Sequence, residues 1–259
     1  MISTIRNALK MASTELGIIS NNVANAGSTG FKRSDGNFQH FYSENIPIKG
    51  LHVGFGVTHE EPRRNDTRQG ALKVTNNALD LAVSGVGMFM TVAPGEEKVS
   101  FTRDGGFNLD TLGHLMTTDN RFVLDSTGVP IVIPPTETDE QARETLVNSI
   151  QIRNNGLIEV TYGNGEMRER GRVGLARFAN MSGLRPMGGG HFQFTEKSGP
   201  PIIGGPMDNS YGQMVQGHLE ASNINMTDEL TKLMRAQQAY SGSSRLLQSA
   251  IEMSKRLSQ

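Results

Sequence analysis

Cysteine is absent from this chain. That excludes disulfides, thiolate metal sites and cysteine nucleophiles together, and it fits an oxidising or extracytoplasmic setting without requiring one. Tryptophan is absent too, and only 4 Tyr and 11 Phe stand against 30 Gly, so many turns and light packing are expected. No charge sign dominates: 25 basic and 26 acidic side chains leave a formal net charge of -1. A balance this even gives no footprint for nucleic acid or an anionic membrane. Long apolar runs are also missing. Leu81 to Ala93 is the longest mostly apolar stretch, and it contains two glycines and is too short to span a bilayer. Arg6 and Lys10 near the N-terminus are not followed by an apolar h-region. A soluble protein without a cleaved signal is therefore expected. At 259 residues, two structural units are the default.

The strongest periodicity lies at the two ends. Ile2, Ile5, Leu9, Ala12, Leu16, Ile19 and Val23 recur at spacings of three and four and predict a helix from about residue 2 to about residue 25. Asn21, Asn22, Asn25 and the run Gly27-Ser28-Thr29-Gly30 then end it. A second helix is predicted from Thr227, as cap, to about Leu257, with Asp228 and Glu229 in its first turn where the helix dipole favours acids. It carries two seams, Met226-Leu230-Leu233-Tyr240-Leu247-Ile251 and Ala236-Ala239-Leu246-Ala250-Met253-Leu257. A two-stranded pairing uses one seam only, so the second needs another neighbour. Terminal segments fray unless something ties them down. The expectation is that the two ends pair with each other and then with other copies of the chain.

Between them, residues 31–69 read as an extended linker rich in Gly, Pro, Asn and charge, too long for an ordinary loop. Residues 70–223 read as a mainly antiparallel β domain. Ile150 and Ile152 alternate with polar residues, Asn155-Gly156 follows, and Ile158, Val160 and Tyr162 alternate again, a strong hairpin signal. Short strands are expected at 99–102, 121–124, 130–133, 173–178 and 191–195, and one short helical stretch near Thr136 to Leu146. The fold class is thus α+β. Its domains are 1–30 with 224–259 as a discontinuous helical domain whose helices pair as a coiled coil, the 31–69 linker, and the 70–223 β domain.

No catalytic, cofactor or metal residues emerge. The histidines His40, His52, His59, His114, His191 and His218 form no i,i+4 pair and no HExxH. Gly85-Val86-Gly87 begins like a dinucleotide loop, but Met90 replaces the third glycine and no βαβ unit surrounds it. Gly188-Gly189-Gly190 lacks the Lys-Ser or Lys-Thr of a phosphate loop. Glu60-Glu61 and Asp139-Glu140 lie in polar stretches, and Asp104-Gly105 reads as a strand-ending turn.

Four ordered blocks carry a resemblance. Asn21-Asn22-Val23-Ala24-Asn25 with Thr29-Gly30-Phe31-Lys32 resembles the N-terminal signature of the bacterial flagellar rod and hook proteins. Gly70-Ala71-Leu72 with Leu79-Asp80-Leu81-Ala82-Val83 is similar to the start of that family's β domain, and Thr102-Arg103-Asp104-Gly105-Gly106 to one of its strand-and-turn blocks. Gly217-His218-Leu219-Glu220-Ala221-Ser222-Asn223 resembles the block before its last helix. The family motif residues are Asn21, Asn22, Asn25, Thr29, Gly30, Phe31, Leu79, Asp80, Thr102, Arg103, Gly105, Glu220, Ser222 and Asn223.

The resemblance implies a non-enzymatic structural subunit of the flagellar rod, located in the basal body and spanning the periplasm. It implies terminal helices paired as a coiled coil lining a tube, the β domain outside them, helical polymerisation around an export channel, and passage through the type III export apparatus. Implied partners are further copies and the other rod and hook proteins. The expected seam is Ile5, Leu9, Leu16, Ile19 and Val23 against Leu230, Leu233, Tyr240 and Leu247, with Ala236, Ala250 and Leu257 facing a neighbouring subunit. Proximal and distal rod proteins both stay open, as does a hook-type or junction protein. Two readings outside that class are a cell-wall hydrolase, for which no carboxylate pair stands out, and a monomeric binding module closed by its own terminal helices.

Overall fold

The computed structural model describes residues 2–36, 68–138, 144–163, 165–208 and 210–257. Most of the expected 31–69 linker, with His40, His52 and His59, lies outside them. The chain divides into two compact units: 1–26 with 33–66 and 224–259, and 27–32 with 67–223.

The first unit holds two long helices, α1 (Ile2–Ala24) and α2 (Met226–Leu257). Asn25 closes α1, its amide nitrogen Nδ2 donating to Asn21 O at 2.9 Å. At the start of α2 the cap is Asn225 rather than the expected Thr227. Asn225 Oδ1 accepts from Thr227 N at 3.1 Å, and Glu229 N donates to Asn225 O at 3.1 Å as the first helical bond. Asparagine caps as well as threonine, and here the chain is already helical at Met226. The two helices pack on each other. The last turn of α1 meets the first turn of α2, so they run antiparallel.

The second unit is antiparallel β structure. Its largest sheet has nine strands, running Arg185–Gly188, His191–Gln193, Val99–Thr102, Met88–Val92, Phe122–Val123, Leu115–Thr117 and Phe107–Leu109 in order. Leu175–Arg177 joins beside Met88–Val92 and carries Ile202–Gly204. A four-stranded sheet runs Met167–Arg172, Leu157–Tyr162, Glu144–Ile152 and Thr136–Thr138. Among the described residues the unit also holds two strand pairs: Leu72–Val74 with His218–Glu220, and Leu81–Ser84 with Gln213–Gln216.

The Asn-Gly hairpin forms as its alternation demands. Ile158 pairs with Ile152 and Val160 with Ile150, and the turn closes through Gly156 N to Arg153 O at 2.8 Å. The short helix expected near Thr136 to Leu146 does not form. Thr136–Thr138 pairs with Glu144–Leu146 as antiparallel strands, because Thr136, Thr138 and Thr145 favour extended backbone over an acid-rich helix with little apolar surface to bury. The strand expected at 130–133 is reduced to isolated bridges at Pro130 and Val132. Buried Leu81, Phe89, Phe107, Leu115, Val160 and Leu175 build the main core, with Phe89 and Phe107 meeting edge-to-face at 5.0 Å. A second cluster centres on Phe101 and Phe178, also edge-to-face at 4.7 Å.

Candidate assembly surface and motif junction

In the helical unit, apolar spacing sets which face each helix turns inward. On α1, Ala12 and Ile19 are buried, while Ile5, Leu9, Leu16 and Val23 are half-buried. On α2 the inward face is not the expected one. Ala236 and Ala250, assigned from sequence to a neighbouring subunit, are buried, with Ser243 half-buried between them. Leu230 and Tyr240, assigned to the intramolecular seam, are 44% and 42% exposed, whereas Leu233 and Leu247 are half-buried. Small side chains let another segment approach closely, and the larger ones are displaced to the flanks and outside. Met226, Leu230, Met234, Leu246, Ile251 and Met253 thus leave α2 with a long exposed apolar surface. The side chain of Leu257 lies outside the described residues.

The motif asparagine Asn22 is buried. Its Nδ2 donates to Ser34 O at 2.9 Å and to Glu229 Oε2 at 3.0 Å, and its Oδ1 accepts from Ser34 N at 3.0 Å. Arg33 Nε lies 2.8 Å from Glu229 Oε1, and Arg33 Nη2 lies 2.6 Å from Asp35 Oδ1. Lys232 Nζ stands 3.6 Å from Glu229 Oε1. Asn21, by contrast, is exposed and serves only as the acceptor for Asn25.

The remaining motif residues converge within the β unit around one buried carboxylate. Glu220 Oε1 accepts from Lys32 Nζ at 2.5 Å and from Gly70 N at 3.0 Å, while Oε2 accepts from Arg103 Nη1 at 3.1 Å. All three charged side chains are buried. Arg103 also donates to Val83 O at 3.3 Å and Gly85 O at 2.8 Å. Burial pushes the Arg103 guanidinium below the usual arginine value, against the opposing pull of Glu220. Lys32 Nζ further donates to Arg68 O at 2.8 Å, and Asn223 Nδ2 donates to that same carbonyl at 3.1 Å.

Backbone contacts finish the junction. Gly30 N donates to Glu220 O at 2.7 Å and Asn223 N to Phe31 O at 3.4 Å, with Phe31 buried. Thr29 Oγ1 donates to Asp104 Oδ1 at 2.7 Å, and Thr102 Oγ1 accepts from Asp104 N at 3.0 Å. Gly30 sits at φ 64°, and a Cβ there would lie 2.5 Å from Asp104 N. A Cβ on Gly105 would lie 1.6 Å from Leu81 O, so only glycine fits. Asp80, buried, accepts from Asn77 Nδ2 at 3.0 Å, and Leu79 packs on the main core. Ser222 is half-buried.

Sequence reasoning missed Lys32, Arg33, Ser34 and Glu229 as site residues. A Lys-Arg pair at 32–33 and an acid in the first turn of a helix are both common on surfaces, and nothing local marks them as buried. No helix among the described residues is long and apolar enough to cross a membrane. No cluster of three or more metal-ligating side chains occurs among them. The arrangement offers recognition surfaces and buried ionic locks.

Three family models match the chain: "Flagella basal body rod protein" over residues 2–32, "Flagellar hook protein FlgE/F/G D1 domain" over 82–160, and "Flagellar basal body rod FlgEFG protein C-terminal" over 215–259. The flagellar basal-body rod protein FlgG of Agrobacterium fabrum is 34% identical over 254 residues, covering 93% of this chain and 91% of its own. The Bacillus subtilis FlgG is 30% identical over 259 residues, covering 95% and 93%. A Caulobacter vibrioides rod protein FlgF is 32% identical over 245 residues, covering 93% and 89%. Among solved structures, the Helicobacter pylori flagellar hook protein FlgE2 overlaps 48% of this chain and 39% of its own at 16% identity, with a TM-score of 0.26.

Proposed function

The chain belongs to the flagellar basal-body rod protein family, and from that premise we propose how it builds the rod. It is a structural subunit of the flagellar basal body and not an enzyme. Copies associate through heterologous contacts that repeat without closing, giving a helical tube around a channel. The terminal helical domain (1–30 with 224–259) forms the wall of that channel as a coiled coil. The β-rich domain (70–223) and the 31–69 segment make up the rest of the subunit. Torque is carried across many shared interfaces. The subunit reaches its place across the periplasm through the type III export apparatus and abuts the other rod and hook proteins.

The observation that carries this reading is the exposed apolar surface of α2. Exposed apolar area of this extent marks an interaction surface. The interface residues are Ile5, Leu9, Leu16, Ile19, Val23, Leu230, Leu233, Ala236, Tyr240, Leu247, Ala250 and Leu257, with Leu230 and Tyr240 on the side that meets a neighbour. A hook-type or junction protein of the same family is the second reading, favoured by the D1 match it shares with hook proteins. Electron microscopy of the concentrated full chain tests the proposal. Hollow tubes of uniform diameter are expected, and strictly monomeric particles at every concentration would overturn it.

A further inference from the structure

We propose that the buried cluster of Asn22, Arg33, Ser34 and Glu229 fixes the register of α1 on α2, and so decides which apolar side chains of α2 are left facing neighbouring subunits. The inference deepens the assembly reading above and rests on it for its consequence, though not for its geometry.

The small-residue face of α2 does not by itself define the register. Its inward positions on α2 are Ala236, Ser243 and Ala250, each seven residues from the next and nearly equal in size. On α1 the same spacing separates Ile5, Ala12 and Ile19. Sliding α2 past α1 by seven residues would therefore set another small α2 side chain against each of these α1 positions, so the small-residue face resists the slip only weakly. Glu229 occupies the next place in the α2 series, seven residues before Ala236, and it is the one charged member. It is 1% exposed and bound by both Asn22 and Arg33.

Either slip breaks this arrangement. One direction puts Ala236 at Asn22, leaving the Asn22 amide without its carboxylate partner. The other moves Glu229 one heptad along α1, level with Glu15, which sets two carboxylates side by side. A buried carboxylate without its cation and its hydrogen-bond donor is strongly disfavoured. Asn22 also binds both the N–H and the C=O of Ser34, so the backbone leaving α1 is locked to the same point. Apolar packing holds the helices together, and the polar cluster chooses among registers that the small-residue face separates only weakly. A buried asparagine that specifies register is a well-attested use of a polar core group.

The test uses the natural absence of cysteine. Spin labels are placed at Ser20→Cys and Gln248→Cys, both exposed, on the full chain diluted with unlabelled chain, under conditions where circular dichroism shows the helices formed. One narrow distance population is expected. In Glu229→Ala combined with Ala236→Glu, the register follows the carboxylate, and the label separation shortens by close to 10 Å, seven residues at about 1.5 Å each. In Asn22→Leu combined with Glu229→Leu, where the carboxylate and the amide that binds it are removed together, helicity persists and the distribution splits. An unchanged single distance in the relocated variant would overturn the inference, as would an unsplit one in the apolar variant. Because the distance lies within one chain, the two readings separate. The shift without tubes counts against the assembly reading alone, and tubes without the shift count against the register inference alone.

Discussion

Arg103 Nη1 and Glu220 Oε2 meet at 3.1 Å, with neither side chain open to solvent. Lys32 takes the other carboxylate oxygen, so two cations share one buried anion. The three residues come from distant parts of the sequence, and together they tie the strand end at Thr102, the segment after α1 and the strand His218–Glu220 into one junction. Replacing Glu220 by Gln keeps the shape and removes the only negative charge, leaving two buried cations. We expect a loss of about 3–5 kcal/mol, seen as a fall in the melting temperature of the β unit on the order of 10 °C. Lys32→Met leaves a balanced Arg103–Glu220 pair and should cost distinctly less. Equal melting temperatures for the two variants would contradict the shared-anion arrangement.

Gly105→Ala tests the turn beside that junction. The new Cβ would fall 1.6 Å from Leu81 O, which is backbone and cannot step aside. Displacing it disturbs the buried strand Leu81–Ser84 and its partner Gln213–Gln216. A destabilisation on the order of 3 kcal/mol or more is expected in a denaturant titration. Gly95→Ala, with open space around it, isolates the effect of the close approach, since its penalty is limited to its positive φ.

Much of this is legible in the sequence, and the reason lies in the range over which each signal acts. The Asn155-Gly156 hairpin is written in the short stretch from Ile150 to Tyr162, and it forms there. The two helices are set by local periodicity and also formed, within one or two residues at their ends. The inward face of α2 was not legible. Leu230 and Tyr240 look like core residues on a helical wheel, but the size of Ala236 and Ala250 decides how close a partner comes, and that is a property of the pair. From the sequence Glu229 is an acid favoured by the helix dipole, and nothing beside it announces Asn22 or Arg33, roughly two hundred positions away. Lys32 and Arg103 became a site only once Glu220 was brought to them.

His191 gives the β unit a pH dependence. Burial holds its imidazole below the usual histidine value, reinforced by the Arg121 charge, while Asp119 at 3.3 Å pulls the other way. With the folded value depressed, the unfolded chain binds the proton more readily. Stability is therefore fully present above the unfolded value, near 6.5, and is lost as the pH falls through the depressed folded value. Melting temperatures measured from pH 8 down to pH 5 should decline, and His191→Gln should flatten that decline. A profile identical in the variant would assign the decline to other groups.

Leu16 and Leu230 separate cohesion within the chain from cohesion between chains. Leu16 is half-buried on the inward side of α1, and Leu230 is 44% exposed on α2. Leu16→Asp should block incorporation into the tube and weaken the helix pair, while the β unit melts as before. Leu230→Asp should leave all intramolecular melting unchanged and still abolish or sharply reduce polymer, because its cost arises only when a neighbour would cover it. Sedimentation of polymer alongside melting curves distinguishes them. Normal polymer from Leu230→Asp would remove it from the neighbour-facing surface.

The last expectation concerns when the helices become ordered. Among the described residues of α2, only Glu229, Ala236 and Ala250 are buried. Two alanines and an acid bury little apolar area, and isolated helices gain most of their stability from packing rather than from intrinsic propensity. The β unit, with its buried Leu, Ile and Phe side chains, needs no such help. In dilute monomer, amide exchange should therefore be fast along α2 and along α1 toward its N-terminal end, and slow in strands such as Met88–Val92 and Leu157–Tyr162. In assembled tubes, the same helical amides should become protected by at least a hundredfold, about 2.7 kcal/mol of local stability by mass action. Helices already as protected as the β strands in the dilute monomer would mean that the terminal pair is a finished bundle, and the case for ordering upon assembly would fail.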